Sequence, residues 1–325
     1  MGEIHGNGVK NLKGANLDNF NIDFFPADYY HKIIIMRGEK FPGGRDQMRQ
    51  KFMFTTAFSL LFVYFHLAYG QFLPEEIAQR PQWEQFLKTA EIVRFEDIAE
   101  GVTKPIKVYL KKGDTEIKAC WKNPSGIQAG FLEGWQYEIA AYQLDKLLGL
   151  NMIPVTVERD FNGKPGALSL WATSEYSLLK IMEEKIDFPD AVREQVDNMK
   201  YLTRAWDSLI ANDDRTQQNM LYTKDWRTIM IDHSRSFRST KEFTEKLMCG
   251  RNGLKKFADG RPFLFRRLPR FFIEKVKALD YKSIKEAVGP YLTDKEIDAV
   301  LKRKVLLLAE VDQMIKENGE AKVLY

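Results

Sequence analysis

The sequence has few of the residues that build disulfide scaffolds and metal centres. Cysteine occurs twice and histidine four times among 325 residues, which excludes a disulfide-built scaffold and argues against a thiolate-rich or histidine-rich metal site. A strong excess of one charge is also missing, because 49 basic residues oppose 45 acidic residues. The resulting net charge of +4 is too small to indicate a nucleic-acid-binding protein by itself. With 44% hydrophobic and 29% charged residues, the composition is typical of a globular enzyme or binding protein of about two domains.

Charged residues are absent from one long stretch near the N-terminus. Residues 52–68 contain no Asp, Glu, Lys or Arg, they follow a basic flank, and they end in small residues. This layout is typical of a secretory signal peptide. We therefore interpret 48–70 as a signal peptide or membrane anchor of an exported protein, with residues 1–47 as a non-native or disordered extension. A buried helix of a small N-terminal domain is the alternative, and it would leave the protein cytoplasmic.

If the exported form is correct, we expect the natural N-terminus to lie at Gln71, and mass spectrometry of the mature protein measures it. A mature chain that retains residues 52–68 would contradict cleavage. Export would also remove the usual glutathione buffer and allow Cys120 to pair with Cys249. Residue 120 lies in an apolar strand pattern, however, which favours a buried free thiol.

The first part of the remaining chain predicts a small antiparallel sheet with one inserted helix. Alternating apolar residues over 106–110 and 117–121 flank a turn at 112–114, which is typical of a hairpin. Leu132–Leu148 predicts a helix that Gly149 ends. Further strands are predicted over Ile153–Glu158 and Ala167–Trp171, with a turn at Asn162-Gly163 between them.

The second part predicts mostly helix. Apolar residues recur at steps of three and four over Ala191–Ile210, and Thr293 with Glu296 forms a capping box that opens a helix reaching about Lys316. Met220–Tyr222 and Thr228–Ile231 have hairpin spacing. The predicted fold class is therefore α+β and bilobal, with a sheet lobe over 71–175, a helical lobe over 176–325 and a ligand cleft between them.

Oxygen-bearing side chains cluster around the predicted hairpin of the second lobe. Asn219 stands just before its first strand and Asp232 just after its second strand, so the hairpin must bring them together. Asp214 lies on the loop that enters the hairpin. Carboxylate and amide oxygens suit Mg²⁺, which also keeps water and substrate phosphates as ligands. One carboxylate at an attacking hydroxyl and two metal ligands are what phosphoryl transfer requires.

These motifs resemble the atypical branch of the protein-kinase-like superfamily, which includes phosphoinositide kinases, HipA-like kinases and secretory-pathway casein kinases. The D-R-x-x-x-N loop is similar to residues 214–219, and the metal-binding Asp to Asp232. Upstream, Ala119-Cys120-Trp121-Lys122 resembles the strand that carries the phosphate-binding lysine, and Glu138 its ion-pair partner. The resemblance runs in order from about residue 95 to 240, and it implies a bilobal kinase-like fold.

The resemblance implies a kinase that uses ATP and Mg²⁺. Its implied site residues are Asp214 at the substrate hydroxyl, Asn219 and Asp232 on the metal, Lys122 with Glu138 at the phosphates, and Gly101 in the turn that covers the nucleotide. Each of them also has a structural explanation, such as a turn cap or a solvated strand residue. Arg215 is expected to form a structural ion pair within the loop rather than to contact the substrate.

The sequence departs from the resemblance at two places. Thr216 stands where phosphoinositide kinases usually have His, and His233-Ser234 follows the metal-binding Asp instead of Phe-Gly. Two alternatives therefore stay open. One is a different nucleotide-dependent transfer, adenylyl or glutamyl, on the same fold, and the other is a pseudokinase that only binds a partner.

A basic segment follows the candidate metal site. Lys246 to Arg270 holds eight basic residues and only Asp259 as an acidic one, with phenylalanines interleaved. This pattern predicts a site for an acidic or phosphorylated acceptor, or for anionic lipid headgroups. A solvated loop whose long side chains cover core is the alternative. No nucleic-acid partner is predicted.

Overall fold

The computed structural model describes residues 72–98, 104–128 and 130–325. The predictions made for residues 1–71 and for Gly101 lie outside these described residues. The N-terminal extension, the signal peptide and the glycine turn therefore stay predictions.

The described chain alternates short strands and helices before it becomes mainly helical. The strands are β1 (Glu91–Asp97), β2 (Ile106–Lys112), β3 (Thr115–Lys122), β4 (Ser125–Gln128), β5 (Phe131–Gly134), β6 (Thr156–Glu158), β7 (Ala167–Leu170), β8 (Tyr176–Ser177), β9 (Met220–Tyr222) and β10 (Thr228–Met230). The helices are α1 (Pro74–Ala78), α2 (Arg80–Thr89), α3 (Trp135–Leu148), α4 (Leu178–Glu184), α5 (Asp190–Ile210), α6 (Lys241–Glu245), α7 (Arg270–Ala278), α8 (Tyr281–Val288), α9 (Asp294–Asn318) and α10 (Glu320–Val323), with 3₁₀ turns at Gln217–Asn219 and Gly289–Tyr291.

A five-stranded antiparallel sheet forms the first lobe, in the order β1-β2-β3-β7-β6. Val108 and Leu110 of β2 are fully buried, and so is Ala119 of β3. These alternating positions lie on one face of the sheet, because successive side chains of a strand point to opposite faces. The predicted hairpin over 106–121 is therefore confirmed.

The strand predicted over Ile153–Glu158 is shorter in the structure. It covers only Thr156–Glu158. Pro154 has no N–H with which to extend the ladder. The residues before it instead contact the second lobe, since the Met152 carbonyl oxygen accepts a 2.8 Å hydrogen bond from the Met230 backbone N–H.

Helix α3 begins three residues later than predicted, at Trp135 instead of Leu132. Leu132 and Glu133 pair with β4 in a two-stranded hairpin that the sequence pattern did not predict. Gly130, with φ of 86°, lies in the hairpin turn, a conformation that glycine adopts at little cost. The helix ends at Gly149, whose φ of 69° makes it the predicted left-handed cap.

The second lobe is mainly helical, and a small sheet, β10-β9-β8, joins the strand at its start to the hairpin that follows α5. The two long helices agree with prediction. The first, α5, buries residues such as Leu202 and Trp206. The second, α9, opens with the Thr293–Glu296 capping box, in which the Thr293 backbone N–H donates to Glu296 Oε2 at 2.8 Å.

The architecture is therefore α+β, with an antiparallel-sheet lobe and a helical lobe, as predicted. The predicted boundary at 175 and 176 falls immediately before β8, and the domain limits themselves stay predictions. Cys120 and Cys249 are both free thiols, and burial raises the pKa of each to about 11. Among the described helices, none has the length and apolar character needed to cross a bilayer.

Gly166 permits a close approach between the start of β7 and the end of β3. A Cβ atom there would lie 2.6 Å from the Lys122 carbonyl oxygen and 2.6 Å from the Trp121 ring. Gly166→Ala should therefore displace the strand end that carries Lys122 and lower the free energy of unfolding by about 2 kcal/mol or more. Urea denaturation measures this loss.

Gly163→Ala is the matched control, because Gly163 has φ of 74° but no atom within 4 Å of the position that an added methyl group would take. Only backbone strain acts there, so the expected loss is about 1 kcal/mol. Equal losses in the two variants would show that the contact with β3 does not constrain Gly166.

Candidate active site

The β9–β10 hairpin brings Asn219 and Asp232 to the same end of a two-stranded ladder. The Ile231 backbone N–H donates to the Asn219 carbonyl oxygen at 3.2 Å, so the residues that flank the hairpin are adjacent. The Asn219 side chain donates from Nδ2 to the Asp214 carbonyl oxygen at 3.1 Å. This hydrogen bond holds the loop from 214 to 219 against the hairpin. It uses the amide nitrogen of Asn219, so the amide oxygen Oδ1 is the atom that can accept or bind a cation.

Lys122 joins this hairpin to the sheet lobe. Its Nζ lies 3.0 Å from Glu138 Oε1 and 2.8 Å from Asp232 Oδ1. The three residues belong to β3, to α3 and to the segment after β10, and they are separated by as many as 110 positions in the chain. The structure thus brings together Lys122, Glu138 and Asp232, three of the residues singled out in the sequence.

The charges in this cluster depend on one another. Burial disfavours the charged form of Lys122, but Asp232 and Glu138 outweigh it and raise the pKa of the ammonium group well above its ordinary value. Burial likewise acts against the Asp232 carboxylate, yet Lys122 overcomes it and lowers that pKa. Burial raises the pKa of the Glu138 carboxyl group. At neutral pH Lys122 and Asp232 are therefore a partly buried ion pair, with 14% and 31% of their side chains exposed.

The Asp214 side chain is 35% exposed, about as much as that of Asp232 and more than those of Lys122 and Glu138. Burial raises its pKa, and the nearby carboxylates of Asp232, Asp213 and Glu133 act in the same direction. The guanidinium of Arg235, whose Nη1 lies 3.5 Å from Asp214 Oδ1, opposes the increase. A partly exposed carboxylate with a raised pKa is suited to accept a proton.

Arg215 holds the hairpin and its loop from below. Its Nε lies 3.1 Å from Asp207 Oδ2, its Nη1 donates to the carbonyl oxygens of Asn219 and Ile231 at 3.1 and 2.7 Å, and its Nη2 lies 2.8 Å from His233 Nε2. Arg215 is in a structural ion pair, but its carboxylate partner stands on α5 and not within the loop. The spacing of residues in the sequence did not indicate Asp207 as the partner of Arg215.

Asp232 occupies an unusual backbone conformation, with φ of 61°. This left-handed residue turns the chain sharply after β10, so that the His233 backbone N–H donates to Glu138 Oε2 at 3.0 Å. The His233 ring is fully buried. Burial, together with the charges of Arg215 and Lys122, holds the pKa of His233 well below its ordinary range, so the ring is neutral.

Strand β5 adds a carboxylate to the site, Glu133, that the sequence pattern did not predict. Glu133 accepts hydrogen bonds from Arg235 Nε at 2.9 Å and from Ser234 Oγ at 3.0 Å. The Gly134 backbone N–H also donates to the Ser234 carbonyl oxygen at 3.0 Å. The β4–β5 hairpin therefore packs directly on the segment that follows Asp232.

The predicted basic segment over 246–270 is partly neutralised by contacts within the protein. Four of its arginines form ion pairs with carboxylates: Arg251 with Glu317, Arg261 with Asp259, Arg267 with Glu194 and Arg270 with Glu320. The rings of Phe257 and Phe263 stack with centroids 4.1 Å apart. The segment is thus an ordered surface, and its anionic partner stays a prediction.

The donor set fits a divalent cation that shares its ligands with phosphates. No cluster of three or more His, Cys, Asp or Glu side chains arranged for a metal occurs within 72–98, 104–128 and 130–325. Mg²⁺, however, needs only one or two protein carboxylates beside phosphate and water. Around Asn219 and Asp232, six carboxyl groups oppose four basic groups: Glu133, Glu138, Asp207, Asp213, Asp214 and Asp232 against Lys122, Arg215, Arg235 and Arg238. This excess favours an added cation.

Comparison with known proteins identifies the fold. No protein-family model and no curated protein sequence matches the chain. The structure of hydra Fam20 with sugar is similar over 76% of this chain and 92% of its own, with a TM-score of 0.54 and 15% identity. A Golgi casein kinase, and a Golgi casein kinase with Mn/ADP bound, are similar over 76% of this chain and 79% of theirs, with TM-scores of 0.50 and 0.51 and 14% identity. The fold is therefore kinase-like.

Arg215→Ala should destabilise the protein strongly. The change leaves the buried Asp207 carboxylate without its cation and removes the donor to two carbonyl oxygens, which costs about 3–5 kcal/mol. Lys282→Ala is the control, because Lys282 and Glu286 form an exposed pair at 3.9 Å that contributes about 0.5 kcal/mol or less. Chemical denaturation measures both, and a loss below about 1 kcal/mol for Arg215→Ala would refute its structural role.

Proposed function

We propose that the protein is a kinase that transfers the terminal phosphoryl group of ATP to a hydroxyl group of an acceptor, with Mg²⁺ as the metal ion. The observation that carries this proposal is the ion-paired cluster of Lys122, Glu138 and Asp232, which joins the two lobes of a kinase-like fold beside Asp214 and Asn219. The Golgi casein kinase with Mn/ADP bound supports a nucleotide and a divalent cation as ligands of this fold.

Lys122 is the proposed phosphate-binding group. Its ammonium group is charged, because Asp232 and Glu138 raise its pKa. Glu138 is in turn held by the His233 backbone N–H, so the side chain that orients Lys122 is itself fixed. A bound phosphate gives the ammonium group another anionic partner, and Asp232 then becomes available to a cation.

Asn219 and Asp232 are the proposed metal-holding residues. A bound Mg²⁺ would neutralise the phosphate oxygens and orient the transferred group. Arg215 fixes both flanks of the hairpin that carries these two residues. Their separation is therefore set before any ligand binds, which reduces the entropic cost of assembling the site.

Asp214 is the proposed base. The acceptor oxygen forms a bond to phosphorus while the bond from that phosphorus to the ADP oxygen breaks, and the acceptor proton passes to the Asp214 carboxylate. Burial raises the pKa of Asp214, so it binds the proton more readily than an exposed aspartate does. Arg235 Nη1, 3.5 Å from Asp214 Oδ1, keeps this carboxylate oriented.

The acceptor is a protein, a lipid headgroup or a small molecule that carries a hydroxyl group. The basic surface over 246–270 is the proposed contact for an anionic acceptor, although half of its basic residues are already ion-paired. Export through residues 48–70 belongs to the same proposal, and it requires an ATP-supplied compartment or another phosphoryl donor.

Nucleotide binding is the first test of the proposal. Mg·ATP at 100 times its dissociation constant should stabilise the wild-type protein by about 2.7 kcal/mol and raise its melting temperature. Asp232→Ala should abolish that shift, since it removes both a metal ligand and the partner of Lys122. Asp225→Asn, in the turn at the far end of the same hairpin, should keep it. No shift in the wild type, or an unchanged shift in Asp232→Ala, would contradict the proposed site.

Turnover is the second test. Asp214→Ala should preserve the Mg·ATP thermal shift but lower kcat by about 10²- to 10⁴-fold, because it removes only the proton acceptor. The measurement is ATP consumption together with the mass of the product. Near-normal turnover would refute the role of Asp214, an adenylyl or glutamyl adduct would favour the alternative transfer, and binding without turnover in the wild type would favour a pseudokinase.

A further inference from the structure

The β4–β5 hairpin exposes large apolar side chains on both of its faces, next to the candidate active site. Ile127, Phe131 and Leu132 are 69%, 48% and 43% exposed, which is unusual for three large apolar residues within a single short hairpin. The hairpin lies in the chain between the strand that carries Lys122 and the helix that carries Glu138. An exposed apolar side chain at this place is therefore positioned to contact an acceptor.

Only one face of the hairpin reaches the active site. Ile127 pairs directly with Leu132, and Gln128 pairs with Phe131, so Ile127 and Leu132 share one face. Phe131 and Glu133 share the opposite face, because the side chains of a strand alternate. Glu133 is buried against Arg235, which places the Phe131 face toward the segment that follows Asp232.

Arg235 connects Phe131 with Asp214. Its guanidinium lies over the Phe131 ring, 4.4 Å from the centroid, while its Nη1 lies 3.5 Å from Asp214 Oδ1. A C–N bond adds only about 1.3 Å, so the ring centroid and the carboxylate oxygen are at most about 9 Å apart. An acceptor whose hydroxyl group is at Asp214 would therefore have the Phe131 ring within reach.

The charges around this path do not favour an acidic acceptor. Asp213, Asp214 and Glu133 line it, and the two nearby arginines already bind these carboxylates: Arg235 binds Glu133 and approaches Asp214, while Arg238 Nη2 lies 3.0 Å from Asp213 Oδ2. A carboxylate or phosphate on the acceptor would meet an excess of negative charge here. An uncharged apolar group can instead contact the part of the Phe131 ring that Arg235 leaves uncovered, since Phe131 is 48% exposed.

We propose that Phe131 determines acceptor specificity by binding an apolar side chain of an extended polypeptide, two residues away from the phosphorylated hydroxyl residue. This inference rests on the proposed kinase function and names its acceptor class. In an extended chain, residues i and i+2 lie about 6.6 Å apart on the same face. This spacing lies within the upper bound of about 9 Å on the distance between the Phe131 ring centroid and Asp214 Oδ1.

A positional-scanning library of Ser, Thr and Tyr peptides, incubated with the full chain and Mg·ATP, tests the proposal. The expected result is selection of Phe, Leu, Ile or Met two positions from the hydroxyl residue and rejection of Asp and Glu there. Phe131→Ala should raise KM for the selected peptide about tenfold and abolish the selection at that position. Phe131→Leu, which keeps an apolar side chain, should retain most of it.

Ile127→Ala is the matched control, because Ile127 is at least as exposed but lies on the opposite face of the same hairpin. It should change neither the KM for the peptide nor the position that is selected. Melting temperatures of the variants show whether any loss reflects unfolding of the hairpin. If Phe131→Ala unfolds, the comparison of wild type, Phe131→Leu and Ile127→Ala still reports the selection.

Several outcomes would overturn the inference. They are selection of acidic residues beside the hydroxyl residue, no selection at any position, equal effects of Phe131→Ala and Ile127→Ala, or no peptide phosphorylation by an enzyme that does hydrolyse Mg·ATP. The last case leaves the kinase function in place and excludes only a polypeptide acceptor. Absence of both the Mg·ATP thermal shift and ATP hydrolysis contradicts the kinase function itself.

Discussion

The arrangement of the two lobes depends on the ion pairs that the Lys122 ammonium group forms. It lies between Glu138 and Asp232, and so ties a strand of the sheet lobe to α3 and to the segment after β10. Taking charges out of water is costly, and a buried ion pair is tolerated only when each charge has its partner. Lys122 is the cation that Glu138 and Asp232 share, so removing it would leave both carboxylates without this partner.

Two arginines of the helical lobe support that cluster. Arg215 connects α5 with both flanks of the β9–β10 hairpin, and fully buried Arg303 of α9 donates to the carbonyl oxygens of Leu209 and Arg238. Burial lowers the pKa of Arg303 to about 9. Carbonyl oxygens at chain bends need donors when they are buried, and guanidinium groups supply several from one side chain. These contacts hold the segments around Asp214 and Asp232 in place.

The local parts of the site could be predicted because they follow from strand pairing and helix periodicity. A hairpin returns its second strand beside its first, which is why Asn219 and Asp232 could be expected to be neighbours. The contacts of Glu133 with Arg235 could not, because the two residues are 102 positions apart and the apolar pattern places Glu133 in a helix that in fact begins at Trp135. The turn at Gly130 made those residues a strand instead.

The amino-acid sequence alone determined the α+β class, the main helices and hairpins and the residue types that suit phosphate and metal. These features depend on the period of apolar residues and on capping and turn residues within a few positions, so they can be read locally. Only the tertiary structure decided that Lys122 binds Asp232 as well as Glu138, that Arg215 pairs with α5, and that Phe131 lies near Asp214. Such contacts join distant segments, and they form because buried charges must find partners wherever the packed chain supplies them.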